Sequence, residues 1–162
     1  MTEHTESKNF GVLSSLGGEW VATWGKSGLY RLQRKGSVPA EHLGVKIPVW
    51  LETAWGLFWE GKPFDGRLCI EKPPSLTTAT VWRVVLHIPY GKTMTYGEVA
   101  ARSGIPNGAR AVGSIMRANP WSLFLPCHRV IGKGGQMCGY GGPAGVGLKE
   151  WLIEYEQRTA KK

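Results

Sequence analysis

Cysteine and aspartate are scarce in this chain, and both shortages limit its chemistry. Its 162 residues include three cysteines, Cys69, Cys127 and Cys138, with no CxxC pair and no His/Cys cluster. This pattern argues against a disulfide framework or a zinc site and is typical of a reducing compartment. The only aspartate is Asp65, so a nucleophile–histidine–acid relay would need that residue or a glutamate.

Long apolar runs are also missing. Residues 1–8 are polar, without the apolar stretch of a secretion signal, and no run approaches the length of a membrane span. We therefore expect a soluble intracellular protein, in the cytoplasm or nucleus, that does not bind a membrane. The hydrophobic fraction of 42% is sufficient for a packed core.

Positive charge is concentrated in one half of the chain. The formal net charge is +8; residues 1–75 carry 9 Lys/Arg against 8 Asp/Glu, and residues 76–162 carry 11 against 4. Such a bias favours a polyanionic partner, most simply nucleic acid. A solvated basic surface is common, however, so charge alone decides little.

Two regions of different periodicity predict an α+β protein with two small domains. Residues 1–9 are expected to form a disordered tail, 10–74 a β-rich N-terminal domain and 75–160 a helical C-terminal domain. The proline pair within Lys72–Ser75 marks the linker.

Short apolar runs separated by Gly, Ser and Pro characterise the N-terminal region. Residues 20–32 predict a β-hairpin, and residues 63–70 predict one more short strand. Residues 45–51 begin either a helix or another strand.

Two short helices joined by a glycine turn are predicted in the C-terminal region. Thr95 and Glu98 have the spacing of a capping box, which opens the first helix. Gly104 suits the position after that helix, and Pro120 prevents the second from continuing beyond about Ala118. This is the layout of a helix-turn-helix.

The second helix of this pair has an apolar and a polar side. The polar side carries two cations and small neighbours, which allow close approach to a phosphate backbone. An exposed surface helix without a ligand is the alternative. The residues at i, i+4 and i+7 of the polar side are Arg110, Ser114 and Arg117.

The last predicted helix, residues 147–158, places Glu156 at the edge of its apolar stripe. A carboxylate at that position could be half buried and paired with an imidazole. A solvated glutamate is the more common outcome.

A thiol and an imidazole are adjacent in the segment Leu125–Val130. The thiolate is the reactive form of cysteine, and a neighbouring basic group favours it. Cys127 is therefore the candidate nucleophile, with His128 beside it and Arg129 adding positive charge. A cysteine that only packs as a small apolar residue is the alternative.

These features together resemble the O6-alkylguanine-DNA alkyltransferases, also called methylated-DNA–protein-cysteine methyltransferases. The resemblance covers about residues 78–158. The matching segments follow the family's order: Ile88–Gly91, Thr95–Ala100, Ala109–Gly113, Asn119–Pro120, Pro126–Val130, Gly139–Gly142 and Lys149–Leu152.

The resemblance implies a small ribonuclease-H-like β-sheet domain followed by a helical domain with a winged-helix-like DNA-binding unit. It implies a protein that flips O6-alkylguanine out of duplex DNA and transfers the alkyl group irreversibly to Cys127. Flipping is needed because a stacked base cannot present its O6 substituent in line to a thiolate. We expect a monomer that acts once and needs no cofactor or metal.

The same resemblance assigns roles around the nucleophile. Cys127 is the alkyl acceptor, His128 takes the thiol proton through a water, and Glu156 orients the imidazole. Asn119 ties the active-site turn together, and Arg129 supports the site.

The remaining implied roles concern the DNA. Arg110 is the finger that fills the space left by the flipped base, and its neighbours Ala109 and Ala111 let the helix lie close in the minor groove. Four positions contact the guanine or wall its pocket: Tyr96, Val130 through its carbonyl, Tyr140, and Gly141 through its N–H.

Three features depart from the family pattern. Residues Thr77–Thr80 lack the Phe-Gln pattern usual before the Val-Trp pair, which should affect domain packing more than chemistry. The loop between Tyr140 and Lys149 is longer, and it borders the expected alkyl pocket. Cys138 stands where the family often has a small residue, and we expect it to be a packed thiol.

Three other functions fit parts of this pattern. A non-catalytic lesion-binding relative would lack the acceptor cysteine, which is present here as Cys127. An alkylation-sensing regulator would need additional segments. A Cys-His hydrolase would have no use for Arg110 and the basic half of the chain.

Overall fold

The computed structural model describes residues 6–34, 44–139 and 145–160. It confirms the α+β class, with a three-stranded antiparallel sheet followed by helices. The strands are β1 (Asn9–Ser15), β2 (Gly18–Gly25) and β3 (Gly28–Arg34), in that order across the sheet.

Five α-helices follow the sheet within the described part of the chain. They are α1 (Val49–Trp59), α2 (Leu76–Leu86), α3 (Tyr96–Arg102), α4 (Ala109–Arg117) and α5 (Gly145–Thr159). A two-residue parallel pair joins β4 (Met94–Thr95) to β5 (Val130–Ile131). One 3₁₀ turn covers Cys127–Arg129, and another covers Lys133–Gly135.

The predicted hairpin is confirmed as β2 and β3, but β1 was not predicted. Gly11 is one of the inward-facing positions of β1 and pairs with Ala22, so the apolar alternation that would reveal a strand is interrupted. The undecided segment at 45–51 becomes the start of α1, which begins directly after Pro48.

The strand predicted at residues 63–70 is wrong. The segment pairs with the sheet only through Leu68, which forms an isolated bridge to Leu29 at the start of β3. Phe64 instead stacks on Phe124, with ring centroids 4.4 Å apart. This packing and two backbone hydrogen bonds, from the Leu29 N–H to the Arg67 carbonyl and from the Cys69 N–H to the Leu29 carbonyl, hold the segment where a longer ladder was expected.

Helices α3 and α4 form the predicted helix-turn-helix. The Thr95 hydroxyl accepts from the Glu98 N–H at 3.1 Å, and the Glu98 carboxylate accepts from the Thr95 N–H at 2.7 Å, which completes the capping box. Gly104 follows α3 with φ of 74°, a conformation that glycine adopts without strain. Val99 and Val112 are fully buried in the shared core.

The sheet is attached directly to the loop that precedes Cys127. The Leu32 N–H donates to the Pro120 carbonyl at 2.8 Å, and the Ser122 N–H donates to the Leu32 carbonyl at 3.1 Å. The Trp121 indole donates to the Leu29 carbonyl at 3.1 Å. The N-terminal strands thus fix the position of the loop. Among the described helices, none combines the length and apolar character that crossing a bilayer requires.

Candidate active site

Cys127 follows a tight loop that contains one strained residue. Leu123 lies in this loop with φ of 72° and is buried. A bulky residue in the left-handed region costs about 1–3 kcal/mol, so it persists only where other contacts hold it. The loop therefore depends on its hydrogen bonds for its shape.

Asn119 makes three of those bonds. Its side-chain N–H₂ donates to the Leu125 carbonyl at 2.9 Å and to the Cys127 Sγ at 3.1 Å. Its side-chain oxygen accepts from the Trp121 N–H at 2.8 Å. Because Asn119 lies two residues beyond the last residue of α4, it links the end of that helix to the candidate nucleophile.

The Cys127 side chain is enclosed, with 7% of the residue exposed. Burial raises the pKa of this thiol, while the hydrogen bond from Asn119 and the charge of Lys149 act in the opposite direction. The resting group is therefore the thiol, and a base must remove its proton when it reacts.

His128, Arg129 and Glu156 form a buried cluster beside this thiol. The His128 Nε2 lies 2.6 Å from Glu156 Oε1. Arg129 grips the same carboxylate with two N–H groups, Nε to Oε2 at 2.8 Å and Nη2 to Oε1 at 3.0 Å. At most 8% of any of the three residues is exposed. A forked Arg–carboxylate pair fixes orientation as well as charge.

The protonation states of the cluster follow from these contacts. His128 and Arg129 hold the pKa of Glu156 at about 2, even though burial acts to raise it. Burial lowers the pKa of His128, against the pull of Glu156. A carboxylate can only accept, so Nε2 carries the proton and the neutral ring keeps its lone pair at Nδ1.

Backbone groups complete the surroundings of Glu156 and Arg129. The Gly91 N–H donates to Glu156 Oε2 at 3.2 Å, and Arg129 Nη1 donates to the Ile88 carbonyl at 2.8 Å. Gly91 has φ of 77°, and a Cβ at this position would lie 2.8 Å from the Ala160 side chain. Only glycine fits this approach to the carboxylate without strain.

Lys149 is a buried cation that the sequence prediction did not place in the site. Its Nζ donates to the Tyr96 hydroxyl at 3.3 Å and to the Cys138 carbonyl at 3.0 Å. Burial lowers its pKa, while the Cys127 and Cys138 thiols act in the opposite direction. A signal existed, because Lys149 and Glu156 share the α5 stripe of Leu152 at i and i+7.

Tyr96 opens α3 and is half-buried at the same site. Burial raises the pKa of its phenol, with the two nearby thiols acting in the same direction. The group therefore stays protonated, and since the Lys149 ammonium donates to its oxygen, its own proton is available to a ligand.

The predicted polar side of α4 faces away from the core. Arg110, Ser114 and Arg117 are all exposed, as is Ala111, and Ala109 is half-buried. The Ser114 hydroxyl donates to the Arg110 carbonyl at 3.2 Å within the helix. Two cations thus lie on the outer face of the helix that leads to Asn119 and Cys127.

The remaining predicted positions divide into three groups. Val130 is buried directly after the 3₁₀ turn. Tyr140 and Gly141 lie outside the described residues. Cys138 was predicted to be packed, but it is exposed, because the chain here leaves the core after its carbonyl binds Lys149.

A family profile described as "6-O-methylguanine DNA methyltransferase, DNA binding domain" matches residues 77–158. That segment is half of the chain. It contains the site residues from Tyr96 to Glu156 and leaves out the N-terminal strands that bond to the loop before Cys127. The chain belongs to this family.

Individual relatives agree with the family assignment. The methylated-DNA–protein-cysteine methyltransferase of Salmonella typhimurium is 51% identical over 106 residues, which is 65% of this chain and 51% of that protein. The enzyme of the same name in Mycobacterium tuberculosis is 49% identical over 80 residues, covering 49% of this chain and 47% of that protein. The chain thus spans about half the length of these curated relatives.

Solved structures of this family match over a longer range. The O6-methylguanine methyltransferase of Mycobacterium tuberculosis has a TM-score of 0.79 and 31% identity, covering 94% of each chain. A structure of Mycobacterium tuberculosis OGT in complex with DNA has a TM-score of 0.78 and 31% identity, covering 93% of this chain and 94% of that one. The two-domain fold is therefore that of the family.

Proposed function

We propose that this protein repairs alkylated DNA by direct reversal. It binds duplex DNA carrying O6-alkylguanine as a monomer, in the cytoplasm or nucleus, and moves the alkyl group to Cys127. Residues 75–160 perform this reaction, and residues 10–74 support the active-site loop. The names of the relatives and the DNA complex of the Mycobacterium tuberculosis protein support the proposal.

One observation carries the proposal most directly. Asn119 connects the end of the exposed basic helix α4 to the sulfur of Cys127, at 3.1 Å. The group that would react and the helix that would bind the duplex are thus parts of one rigid unit. A nucleophile held in this way meets the geometric requirement for a base delivered from the DNA.

The reaction follows from the protonation states in the cluster. Neutral His128 accepts the Cys127 proton at Nδ1, through a water, and the Glu156 carboxylate stabilises the imidazolium that forms. The sulfur forms a bond to the alkyl carbon as the bond from that carbon to O6 breaks. The electron pair stays on the guanine, which then takes up a proton.

Several groups hold the flipped base during this step. Tyr96 keeps its phenolic proton and donates a hydrogen bond to the guanine ring. The Val130 carbonyl, the Tyr140 ring and the Gly141 N–H complete the pocket that we propose. The resulting thioether is stable to hydrolysis, so each molecule acts once.

The outer face of α4 makes the duplex contacts in this proposal. Arg117 and Ser114 contact phosphates, which gives affinity without sequence preference. Arg110 enters the space that the flipped base leaves, and the small residues Ala109 and Ala111 permit a close approach in the minor groove. A lesion that occurs in any sequence suits this degenerate readout.

Intact-mass measurement tests the proposal. After incubation with duplex DNA containing O6-methylguanine, we expect the wild-type protein to gain the mass of one methyl group, at one methyl per protein. Turnover of a peptide or amide substrate by Cys127 without DNA, and no methyl adduct, would favour the hydrolase alternative.

A further inference from the structure

A basic cleft lies beyond the C-terminal end of α4, between the sheet and α2. Its volume is about 540 Å³. Charged and aromatic residues of its wall come from the N-terminal segment, β3, the linker and α2, and one small residue comes from the end of α4. They are Lys8, Tyr30, Arg31, Lys72, Trp82 and Ala118, and we call this set the basic cleft.

Positive charge in the basic cleft is only partly neutralised. Lys8 pairs with Glu71 and lies 4.7 Å from the centroid of the Tyr30 ring. Arg31 and Lys72 are exposed and form no ion pair with any residue that the structure describes. Among the described lining residues Glu71 is the one carboxylate, and the Tyr30 hydroxyl donates to Glu6 just outside them at 2.8 Å. The three cations of this lining therefore exceed its carboxylates by two.

The cleft continues directly from the outer face of α4. Ala118 in its wall is the residue after Arg117, the last cation of that face. Pro120, also in the wall, is bonded through its carbonyl to the Leu32 N–H at 2.8 Å. The sheet therefore holds the far side of the cleft in a fixed position relative to the helix.

The aromatic wall is rigid as well. Trp82 packs edge-on against Trp121, with ring centroids 5.0 Å apart. The Trp121 indole in turn donates to the Leu29 carbonyl of the sheet, and the Trp121 backbone N–H donates to the Asn119 side chain. A fixed groove with exposed cations suits a phosphate backbone better than a flexible surface does, since little ordering is needed on binding.

We propose that the basic cleft binds the phosphodiester backbone of the same DNA duplex, on the flank of the lesion that extends past the end of α4. Arg31 and Lys72 contact phosphates there, so the N-terminal sheet is part of the DNA-binding surface. This inference rests on the proposed function, because it extends the DNA track of α4. A free nucleotide or other small anion is the competing occupant.

The test compares two double variants in a Cys127→Ser background, which binds DNA without being consumed. Arg31→Ala/Lys72→Ala removes the unpaired cations of the cleft. Lys46→Ala/Lys92→Ala removes the same charge from exposed positions elsewhere. Fluorescence anisotropy measures affinity for a long duplex and for a duplex that ends beside α4, over a range of salt concentrations.

We expect the cleft variant to bind the long duplex about tenfold more weakly and to lower the salt slope by roughly 2, since each lost phosphate contact removes about 0.9. The control variant should keep the wild-type slope, and the short duplex should not distinguish the variants. Equal slopes for the two variants on the long duplex, or weakened binding of a mononucleotide alone, would overturn the inference.

A separate measurement distinguishes failure of the cleft proposal from failure of the proposed function. With Cys127 restored, both double variants should react with free O6-benzylguanine at the wild-type rate, because neither touches the site. Normal transfer with an unchanged salt slope rejects only the cleft. Failure of transfer in the wild-type protein rejects the proposed function itself.

Discussion

The buried cluster of His128, Arg129 and Glu156 and the exposed face of α4 use charge in opposite ways. In the cluster, every charged group is paired at 2.6–3.0 Å and almost no surface reaches solvent. On α4, Arg110 and Arg117 are exposed and form no ion pair with any described residue. The first arrangement fixes protonation states, and the second leaves charge available for a ligand.

The buried cluster should therefore matter mainly for stability, and the exposed face of α4 mainly for binding. Removing one member of a buried pair leaves an uncompensated charge in a low dielectric, which destabilises the fold. Removing an exposed cation changes stability little but weakens association with a polyanion. Four substitution or pH experiments test this separation, in order of the expected change in the free energy of unfolding.

The largest change is expected from Arg129→Ala. Glu156 would lose both N–H donors of the guanidinium while remaining buried, which should lower the free energy of unfolding by about 3–5 kcal/mol. Urea denaturation measures this loss. Arg158→Ala, an exposed position on α5, serves as the matched control and should change stability by less than about 0.5 kcal/mol. Equal losses in the two variants would remove the distinction.

A smaller loss is expected from Asn119→Ala. The Leu125 carbonyl, the Trp121 N–H and the strained Leu123 would lose their support, at a cost of about 1–3 kcal/mol. The rate of transfer from free O6-benzylguanine should fall as well, because the sulfur of Cys127 is no longer fixed. An Asn119→Ala variant of normal stability that reacts at the wild-type rate would show that this residue only ends α4.

Acid should destabilise the cluster in two successive windows. The folded pKa of His128 lies below its ordinary 6.5, so the unfolded chain binds the extra proton first and stability falls as pH drops below 6.5. The loss approaches about 1.4 kcal/mol per pH unit for one proton. Glu156 adds a second loss as pH falls from 4.5 toward about 2.

The loss of stability attributed to His128 is checked by measuring the free energy of unfolding between about pH 7.5 and pH 5. This range brackets the ordinary histidine pKa of about 6.5. His128→Gln should flatten this part of the profile, whereas His87→Gln, at an exposed position, should retain it. A profile that is the same in all three proteins would contradict a buried neutral imidazole.

The smallest change in stability is expected from Arg110→Ala, less than about 0.5 kcal/mol. Repair of O6-methylguanine in duplex DNA should nevertheless fall far more than reaction with free O6-benzylguanine, because only the duplex needs a finger in the base stack. Single-turnover rates on both substrates measure this. Similar losses on the two substrates would exclude the finger role.

Helix caps and turns were easier to predict from the sequence than strand pairing and contacts between distant residues. The capping box of Thr95 and Glu98 and the turn at Gly104 depend on neighbours in the chain, so their spacing was sufficient. Strand β1 was missed because Gly11 hides the alternation. The error at residues 63–70 arose because packing of Phe64 on Phe124 is not visible in a local pattern.

In the candidate site, too, local motifs were predictable and contacts between distant residues were not. The motif around Cys127 was visible in the sequence, and so was the position of Glu156 on α5. The forked grip of Arg129 on Glu156 and the burial of Lys149 were not, because both depend on how α5 packs against the 3₁₀ turn. Cys138 was predicted to pack, but it lies exposed at the rim.

Peptide mapping after reaction with O6-methylguanine duplex DNA tests the central claim most directly, because the protein has both a buried and an exposed candidate thiol. We expect one methyl group on the peptide that contains Cys127, the same adduct in Cys138→Ala, and none in Cys127→Ala. Methylation of the Cys138 peptide in the wild type, or an equal adduct in Cys127→Ala, would contradict the assignment of the buried thiol as the acceptor.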